Sequence, residues 1–334
     1  MRISLLGLGS VGTNFLRIMD EPENRRKITE ITGSGLDILT VTDSAGTFSS
    51  SGLDMGSLRT MKADGSLHKK MDKLDPKAIT DMEPDVIVDT SPASKDGKRE
   101  LDIYLEAFRK GISVVTANKS PLALHWNTIH KGLSSSGSSL LYEATVAGGV
   151  PLFSFIRGTC APSTIMEFTG IVSLTVNVVL RRIASGMTFA DAISECQKEG
   201  IAEADYRDDT DGIDAARKTV ILSNSLFGTG LILRDVKPMG VEDAMKIADW
   251  KRKNIRIMTK ITRDDHNVRV FTGPVELRTD DPFLSLGEMS MGYSIKTSYN
   301  GDLFVSSVKD GPLETASAVC NDLFTISRQL KFRK

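Results

Sequence analysis

The stretch Arg2-Ile3-Ser4-Leu5-Leu6-Gly7-Leu8-Gly9-Ser10-Val11-Gly12-Thr13 decides the fold. Arg2 to Leu6 is short, apolar and β-prone. It runs straight into a glycine-rich turn, and a helical pattern follows over Thr13–Met19. Strand, glycine turn and helix in that order open a βαβ unit, and the three glycines have separate uses. Gly7 permits the tight turn, Gly9 lets a pyrophosphate approach the backbone, and Gly12 allows close packing of the helix. Ser10 and Val11 lie at the helix N-terminus, where unpaired N–H groups and the positive end of the helix dipole attract an anion. This pattern points to a dinucleotide; a bare structural turn is the plainer alternative.

Outward from that turn, strand and helix keep alternating. A second strand fits Leu36 to Thr42, after a polar stretch too long for a tight connection, so an extra helix or loop is expected there. Residues 44–57 are rich in Ser and Gly and are expected to form a loop. Asp85-Val-Ile-Val-Asp89 and Ile112 to Thr116 are β-branched runs of the kind found in buried parallel strands, and Leu101 to Lys110 between them has helical periodicity ending at Gly111. The fold class is therefore α/β: a Rossmann-type doubly wound parallel sheet over residues 1–140. After Leu140 the texture changes. Helical runs at Phe189–Lys198 and Ile213–Phe227 mix with β-like runs at Val268–Glu276 and Leu303–Val308, which predicts a second α+β domain over 141–310.

Composition excludes several classes. With a net charge of −1 and a pI near 6.5 there is no basic field, so neither nucleic acid nor an anionic membrane is an expected partner. No apolar run reaches the roughly 18 residues of a membrane span. The cysteines Cys160, Cys196 and Cys320 are odd in number and far apart, which suits a reducing cytoplasm and no zinc site. The histidines His68, His125, His130 and His266 match no motif.

Candidate ligand-binding residues fall at strand ends, where open α/β sheets bind. Asp43, at the end of the second strand, is either the acid that holds a ribose hydroxyl or a turn-former before Ser44-Ala45-Gly46. Arg59 and Lys62 follow in an expected loop and could reach a 2′-phosphate instead, so NAD and NADP both stay open. Thr90-Ser91 and Asn118-Lys119 stand at the ends of two further strands.

The densest polar constellation is Glu203-Ala-Asp205-Tyr206-Arg207-Asp208-Asp209-Thr-Asp211-Gly212-Ile-Asp214-Ala-Ala-Arg217-Lys218. It opens an apolar helix that Asp209 or Asp211 is expected to cap. Asp214 and Lys218, four apart, share one helix face. The plain reading is an exposed ion pair. The chemical one is a set of acids able to hold a substrate ammonium, with a proton donor beside them.

Four segments taken together, in order along nearly the whole chain, resemble homoserine dehydrogenase. They are Thr116-Ala-Asn-Lys119, Tyr142-Glu143-Ala-Thr-Val-Ala-Gly-Gly-Val150-Pro151, Asp209 through Lys218, and Gly311-Pro-Leu-Glu-Thr315-Ala-Ser-Ala-Val319. That family reduces aspartate semialdehyde to homoserine with a nicotinamide coenzyme. The resemblance implies that Lys218 is the proton donor, with Lys119 the second candidate and Asp209 in support. It implies that Glu203 and Asp214 hold the substrate ammonium and that Gly200 lines the pocket. Gly311 would return to the coenzyme, the final helix of 311–330 would pack back on the first domain, and Glu143, Val146, Gly148 and Val150 would hold a monovalent cation such as sodium. It further implies a homodimer through the second domain and no room for a C-terminal regulatory domain. One segment departs from the family's usual Gly-Ile-x-Asn-Gly-Thr-x-Asn: here Gly170-Ile-Val-Ser173-Leu174-Thr175-Val176-Asn177 puts leucine at a glycine position. Two rivals remain: a related oxidoreductase acting on another small amino-acid-like substrate, and a coenzyme-binding regulator without turnover.

Overall fold

The structure, a computed structural model, describes residues 1–73, 76–202, 205–264 and 267–331. It divides into two compact units, Met1–Gly149 with Pro312–Lys334, and Val150–Gly311.

The first unit holds a six-stranded sheet in the order β3-β2-β1-β4-β5-β6. The strands are β1 (Arg2–Leu6), β2 (Asp37–Asp43), β3 (Gly46–Leu53), β4 (Val86–Asp89), β5 (Ser113–Thr116) and β6 (Leu140–Leu141). All pairings are parallel except β2 with β3. Connecting helices are α1 (Ser10–Asp20), α2 (Pro22–Thr32), α3 (Met55–Ala63), α4 (Pro76–Asp81), α5 (Lys98–Arg109) and α6 (Lys119–Ser134). The extra element expected before the second strand is α2, which starts on Pro22 and stops at Gly33 in the left-handed conformation. Residues 44–57 are not a loop. Ser44-Ala45 turns the chain, and Gly46 to Ser49 and then Leu53 pair antiparallel with β2 as an edge strand, where the exposed side chains of Ser49 and Ser50 suit β3. Arg59 and Lys62, expected in a loop, lie on α3.

Parallel strands are covered on both faces and therefore read as unbroken apolar runs, as Val86-Ile-Val88 does with every residue buried. Phe15, Leu16 and Met19 of α1 are fully buried against this sheet, each contributing about 1.5–3 kcal/mol. The C-terminal helix, Pro312–Lys331, adds Ala316, Val319, Leu323 and Ile326 to the same core.

The second unit holds an antiparallel five-stranded sheet, ordered β11-β10-β7-β8-β9. Its strands are β7 (Ile165–Ile171), β8 (Ile255–Arg263), β9 (Val268–Glu276), β10 (Met291–Thr297) and β11 (Asp302–Ser307). Among its helices are α7 (Leu152–Thr159), α8 (Leu174–Ala184), α9 (Phe189–Lys198), α10 (Arg207–Thr210) and α11 (Ile213–Leu222). After Leu222 the expected helix continues to Phe227 as one π-helical turn. Val176, Val179, Leu180 and Ile183 of α8 pack with Ile193 and Cys196 of α9 into a second apolar core. No described helix is long and apolar enough to cross a membrane.

Candidate active site

In the first unit, β1 and β4 are adjacent and run parallel, with β2 on one side and β5 on the other, so the connections diverge at this point. Such a switch point opens a crevice at the carboxyl ends of the strands. The three glycines standing there differ physically. Gly7 has φ +85° and packs so closely that an added Cβ would lie 2.5 Å from Ser91 N. A Cβ on Gly12 would lie 2.2 Å from Gly7 O and 2.7 Å from Thr90 Oγ1. A Cβ on Gly9 would meet nothing within 4 Å. Gly7 and Gly12 are thus closed by the fold, and Gly9 faces open space at the N-terminus of α1. That terminus has no side-chain cap and no acid in its first turn, as a diphosphate requires. The residues present therefore fit a dinucleotide coenzyme.

Asp43 ends β2 beside this turn, and Gly7 N–H donates to Thr42 O. Its carboxylate is engaged from three directions. Lys62 Nζ donates to Oδ2 at 2.7 Å, His68 Nε2 lies 3.0 Å from the same oxygen, and Ala45 N–H donates to Oδ1 at 2.7 Å. Burial opposes its charge, yet the bonds from Lys62, Ala45 and His68 hold the carboxyl below its usual range. Asp43 is therefore turn-former and ion-pair acceptor at once, and His68, given no role from sequence, is part of the cluster. His266 lies outside the described residues. Arg59 pairs with Asp20 at 3.3 Å.

Thr90 Oγ1 donates to Gly7 O at 2.6 Å, which clamps the glycine turn to the end of β4. Ser91 is 8% exposed, and Asn118 Nδ2 donates to its Oγ at 3.0 Å. Asn118 Oδ1 caps α6 by accepting Ser120 N–H, which leaves Lys119 as the first helical residue. Under these loops lies Asp89, fully buried, with Tyr104 Oη 2.5 Å from its Oδ2. Burial pushes the Asp89 carboxyl up to about 6, against the lowering pull of hydrogen bonds from Ser91 and Tyr104.

In the second unit, Asp214 and Lys218 are not an exposed pair. Lys218 Nζ donates to Asp214 Oδ2 at 2.7 Å and to Val172 O at 2.7 Å, and the two side chains are only 14% and 9% exposed. An ammonium has three N–H bonds, and among the described residues two of its acceptors are defined, Asp214 Oδ2 and Val172 O. Val172 O is held in place by its surroundings: Asn177 Nδ2 donates to Ser173 O and to Ile257 O, and its Oδ1 accepts Ile257 N–H. Thr219 Oγ1, 2.6 Å from Thr259 Oγ1, fixes α11 to β8. Ser173 Oγ is buried and lacks a protein partner among the described residues.

One sequence expectation changes in this unit. Neither Asp209 nor Asp211 caps α11. Gly212 does, in the left-handed conformation at φ +81°, because a Cβ there would collide with Met239 O at 2.4 Å. Asp209 lies on α10, and its neighbour Asp208 takes the pairing with Arg217 at 2.5 Å. Leu174 begins α8 and packs on the second apolar core. Gly200, at φ +73°, has open space where its Cβ would be. Glu203 lies outside the described residues. Gly311 directly precedes the C-terminal helix.

Glu143 is fully buried, and its N–H donates to Asp322 Oδ2 of the C-terminal helix at 2.8 Å. Val146 and Gly148 follow in the first unit, and Val150 opens the second. No group of three or more His, Cys, Asp or Glu among the described residues is arranged to hold a metal.

A family model described as "Homoserine dehydrogenase" matches residues 151–324, and one described as "Homoserine dehydrogenase, NAD binding domain" matches residues 7–143. The chain belongs to the homoserine dehydrogenase family. An NAD(+)-dependent homoserine dehydrogenase of Pseudomonas canavaninivorans is 30% identical, the match covering 97% of this chain and 96% of that one. Among solved structures, homoserine dehydrogenase from Thermoplasma acidophilum is 40% identical with a TM-score of 0.88, covering 98% of this chain and 99% of that one. A hyperthermophilic archaeal homoserine dehydrogenase in complex with NADPH is 25% identical with a TM-score of 0.82, covering 99% and 98%. Homoserine dehydrogenase relatives thus include one named for NAD and one bound to the phosphorylated form. What sequence reasoning missed in this member is Val172 O, Asn177, Asp89 and Tyr104. Asp89 had a signal: a carboxylate closing an otherwise apolar buried strand.

Proposed function

We propose that this chain interconverts aspartate 4-semialdehyde and homoserine, using NAD or NADP, in the synthesis of threonine, methionine and isoleucine. The observation that carries the proposal is the Lys218 ammonium held at 2.7 Å by both Asp214 and Val172 O in a nearly buried setting. A lysine so placed is fixed in direction, which is what a proton donor to a carbonyl oxygen gaining negative charge requires. The nicotinamide, when bound, supplies the hydride to the carbonyl carbon or takes it from the alcohol carbon.

In the reductive direction the Lys218 ammonium gives a proton to the developing alkoxide and becomes the neutral amine, and in the oxidative direction that neutral amine accepts the hydroxyl proton. Asp214 stabilises the ammonium form before transfer and, with Glu203, binds the substrate's own ammonium. Gly200 admits the substrate at its open side, and Asp209 supports the acid. Gly9, Ser10 and Val11 hold the coenzyme diphosphate through the N-terminus of α1, while Gly7 and Gly12 shape that turn. Thr90, Ser91, Asn118 and Lys119 border the reacting end. The chain acts as a homodimer through the sheet of its second unit, where Phe271 and Phe304 are 40% and 38% exposed on β9 and β11. It works in a reducing cytoplasm, which suits its three buried free thiols.

The test is homoserine-dependent reduction of NAD and NADP, followed at the nicotinamide absorbance. Turnover with homoserine and none with other small hydroxy amino acids supports the proposal. Coenzyme binding without turnover of homoserine refutes it.

A further inference from the structure

The two loops at the carboxyl ends of β4 and β5 share one buried anchor. Ser91 donates to Asp89 Oδ1 twice, from its N–H at 2.9 Å and its hydroxyl at 2.5 Å. Tyr104 of α5 contacts Asp89 Oδ2 at 2.5 Å and Thr116 Oγ1 at 2.8 Å, and Asn118 N–H donates to that same Thr116 oxygen at 2.9 Å. Asn118 Nδ2 then closes the circuit onto Ser91 Oγ and Pro92 O. One carboxylate therefore determines where residues 90–92 and 116–119 stand. Its nearest charged neighbour is Glu100 of α5, fully buried, bonded to Arg99 and to Ser94 Oγ. The residues facing it from β5 and the two loops, Thr116, Ser91 and Asn118, do not titrate near neutrality.

We propose that Asp89 is a positioning residue for the coenzyme: its charged hydrogen bonds hold the Ser91 and Asn118 loops in the arrangement that receives the dinucleotide. The proposal rests on the coenzyme assignment made above. A hydrophobic strand end would fold at lower cost, because burying a carboxylate away from water is expensive. The cost is localised where two loops must be fixed relative to each other. Hydrogen bonds to an ionised acceptor are about twice as strong as neutral ones, so ionised Asp89 fixes Ser91 more firmly than an amide of the same shape.

The experiment is direct titration of the whole protein with NADH, read by nicotinamide fluorescence without substrate, from pH 5 to 8. Asp89→Asn is compared with wild type, alone and in a Ser91→Ala background. The expected result is about a tenfold weaker Kd for Asp89→Asn at pH 7.5, equal to about 1.4 kcal/mol, without a lower unfolding temperature. The Asn change has a smaller further effect once Ser91 is Ala, which removes the hydroxyl bond and keeps the backbone one. Wild-type affinity weakens below pH 6, since burial pushes this carboxyl up to about 6, whereas Asp89→Asn is flat through that range. Tyr104→Phe, which keeps the Ser91 bonds and loses those to Asp89 Oδ2 and Thr116, weakens NADH binding by a smaller factor and serves if the Asn variant fails to fold. Equal Kd values and equal pH dependence in wild type and both variants overturn the proposal. So does a loss of affinity that tracks only a fall in unfolding temperature. A wild type that binds no NADH refutes the coenzyme assignment instead.

Discussion

Replacing Lys218 with Met separates chemistry from packing, because the side chain stays unbranched and apolar along its stem, one atom shorter, and loses the charge and the donors. In the folded state Nζ serves Asp214 and Val172 O at 2.7 Å each. Removing it takes the Lys218 ion pair from a carboxylate that is 9% exposed and a donor from a carbonyl. Breaking a fully buried pair costs about 3–5 kcal/mol, and the water still reaching this one lowers the figure to roughly 2 kcal/mol. For a unit of this size that lowers the unfolding temperature by about 4–8 °C. The catalytic loss is larger. A positioned acid contributes about 10²–10⁴-fold, or roughly 3–5 kcal/mol of barrier. Lys218→Met is therefore expected to remain folded at 25 °C, to bind coenzyme as wild type does, and to lose at least a hundredfold in kcat for homoserine oxidation. Stopped or steady-state absorbance assays at 25 °C read the rate, and circular dichroism reads the melt. A variant that melts several degrees lower yet keeps kcat within about threefold would show that the pair only braces α11, and the chemical argument would fail with it.

The glycine turn predicts a contrast. Gly9→Ala is expected to leave the unfolding temperature within about 2 °C, since its Cβ meets nothing within 4 Å, and to weaken coenzyme binding at least tenfold; Gly12→Val is expected to destabilise the first unit as well, having no room beside Gly7 O. Calorimetric titration of coenzyme alongside thermal melts distinguishes the two, and equal melting losses in both would contradict the packing argument. Lys62→Ala frees Asp43 to accept a ribose hydroxyl and removes a cation that could meet a 2′-phosphate, so the NADP-to-NAD ratio of kcat/KM is expected to fall about tenfold; an unchanged ratio removes Lys62 from coenzyme choice. Asp89 predicts a stability slope. Its carboxyl is pushed up to about 6 in the fold, above the unfolded value of about 4, so the folded state holds the extra proton between those two pH values. The stabilisation that Asp89 itself contributes is then greatest below pH 4, falls by roughly 3 kcal/mol as pH rises through 6, and levels off above, against the opposite trend of the lowered carboxyls such as Asp43. Asp89→Asn is expected to flatten that part of the curve and to melt no lower than wild type at pH 7, checked by denaturant titration at pH 4, 5, 6 and 7.

The parallel sheet was legible because its strands are buried on both faces, so that Asp-Val-Ile-Val-Asp and Ile-Ser-Leu-Leu announce themselves without any partner. β3 was not legible, since it is a serine- and glycine-rich edge strand whose pairing, over Gly46 to Ser49 and again at Leu53, is set by its neighbour β2 and not by its own propensity. The Lys218 face was visible from the spacing of Asp214 and Lys218 alone. Its burial was not, for a four-residue interval is equally that of a surface ion pair, and only the arrival of Val172 O from the end of β7 distinguishes them. The cap of α11 was misjudged for a related reason. Asp209 and Asp211 are good capping types, but Met239 presses so closely on the start of the helix that only glycine fits, and tertiary space overrode local preference.

In the first unit Ser4, Thr40 and Ser113 are buried polar residues within or at the start of strands, while the ends of β4 and β5 gather a hydrogen-bonded set of their own. Val86, Ile87 and Val88 are apolar along the body of β4, as Val114 and Val115 are in β5, and the buried polar set of Asp89, Thr90, Ser91, Thr116 and Asn118 begins where each strand stops. A sheet optimised only for stability would close those ends with apolar side chains, because a satisfied polar network at best offsets its own desolvation. Each member of this set instead uses a hydrogen bond to fix a loop atom: Thr90 the glycine turn, Asp89 Ser91, and Asn118 both its own helix and Pro92 O. In the second unit Asn177 and Thr219 do the same for the carbonyl and the helix that aim Lys218. Both units therefore depart from the apolar pattern at the points where an atom must be held to within a fraction of an ångström, which is the demand that hydride and proton transfer make on a protein.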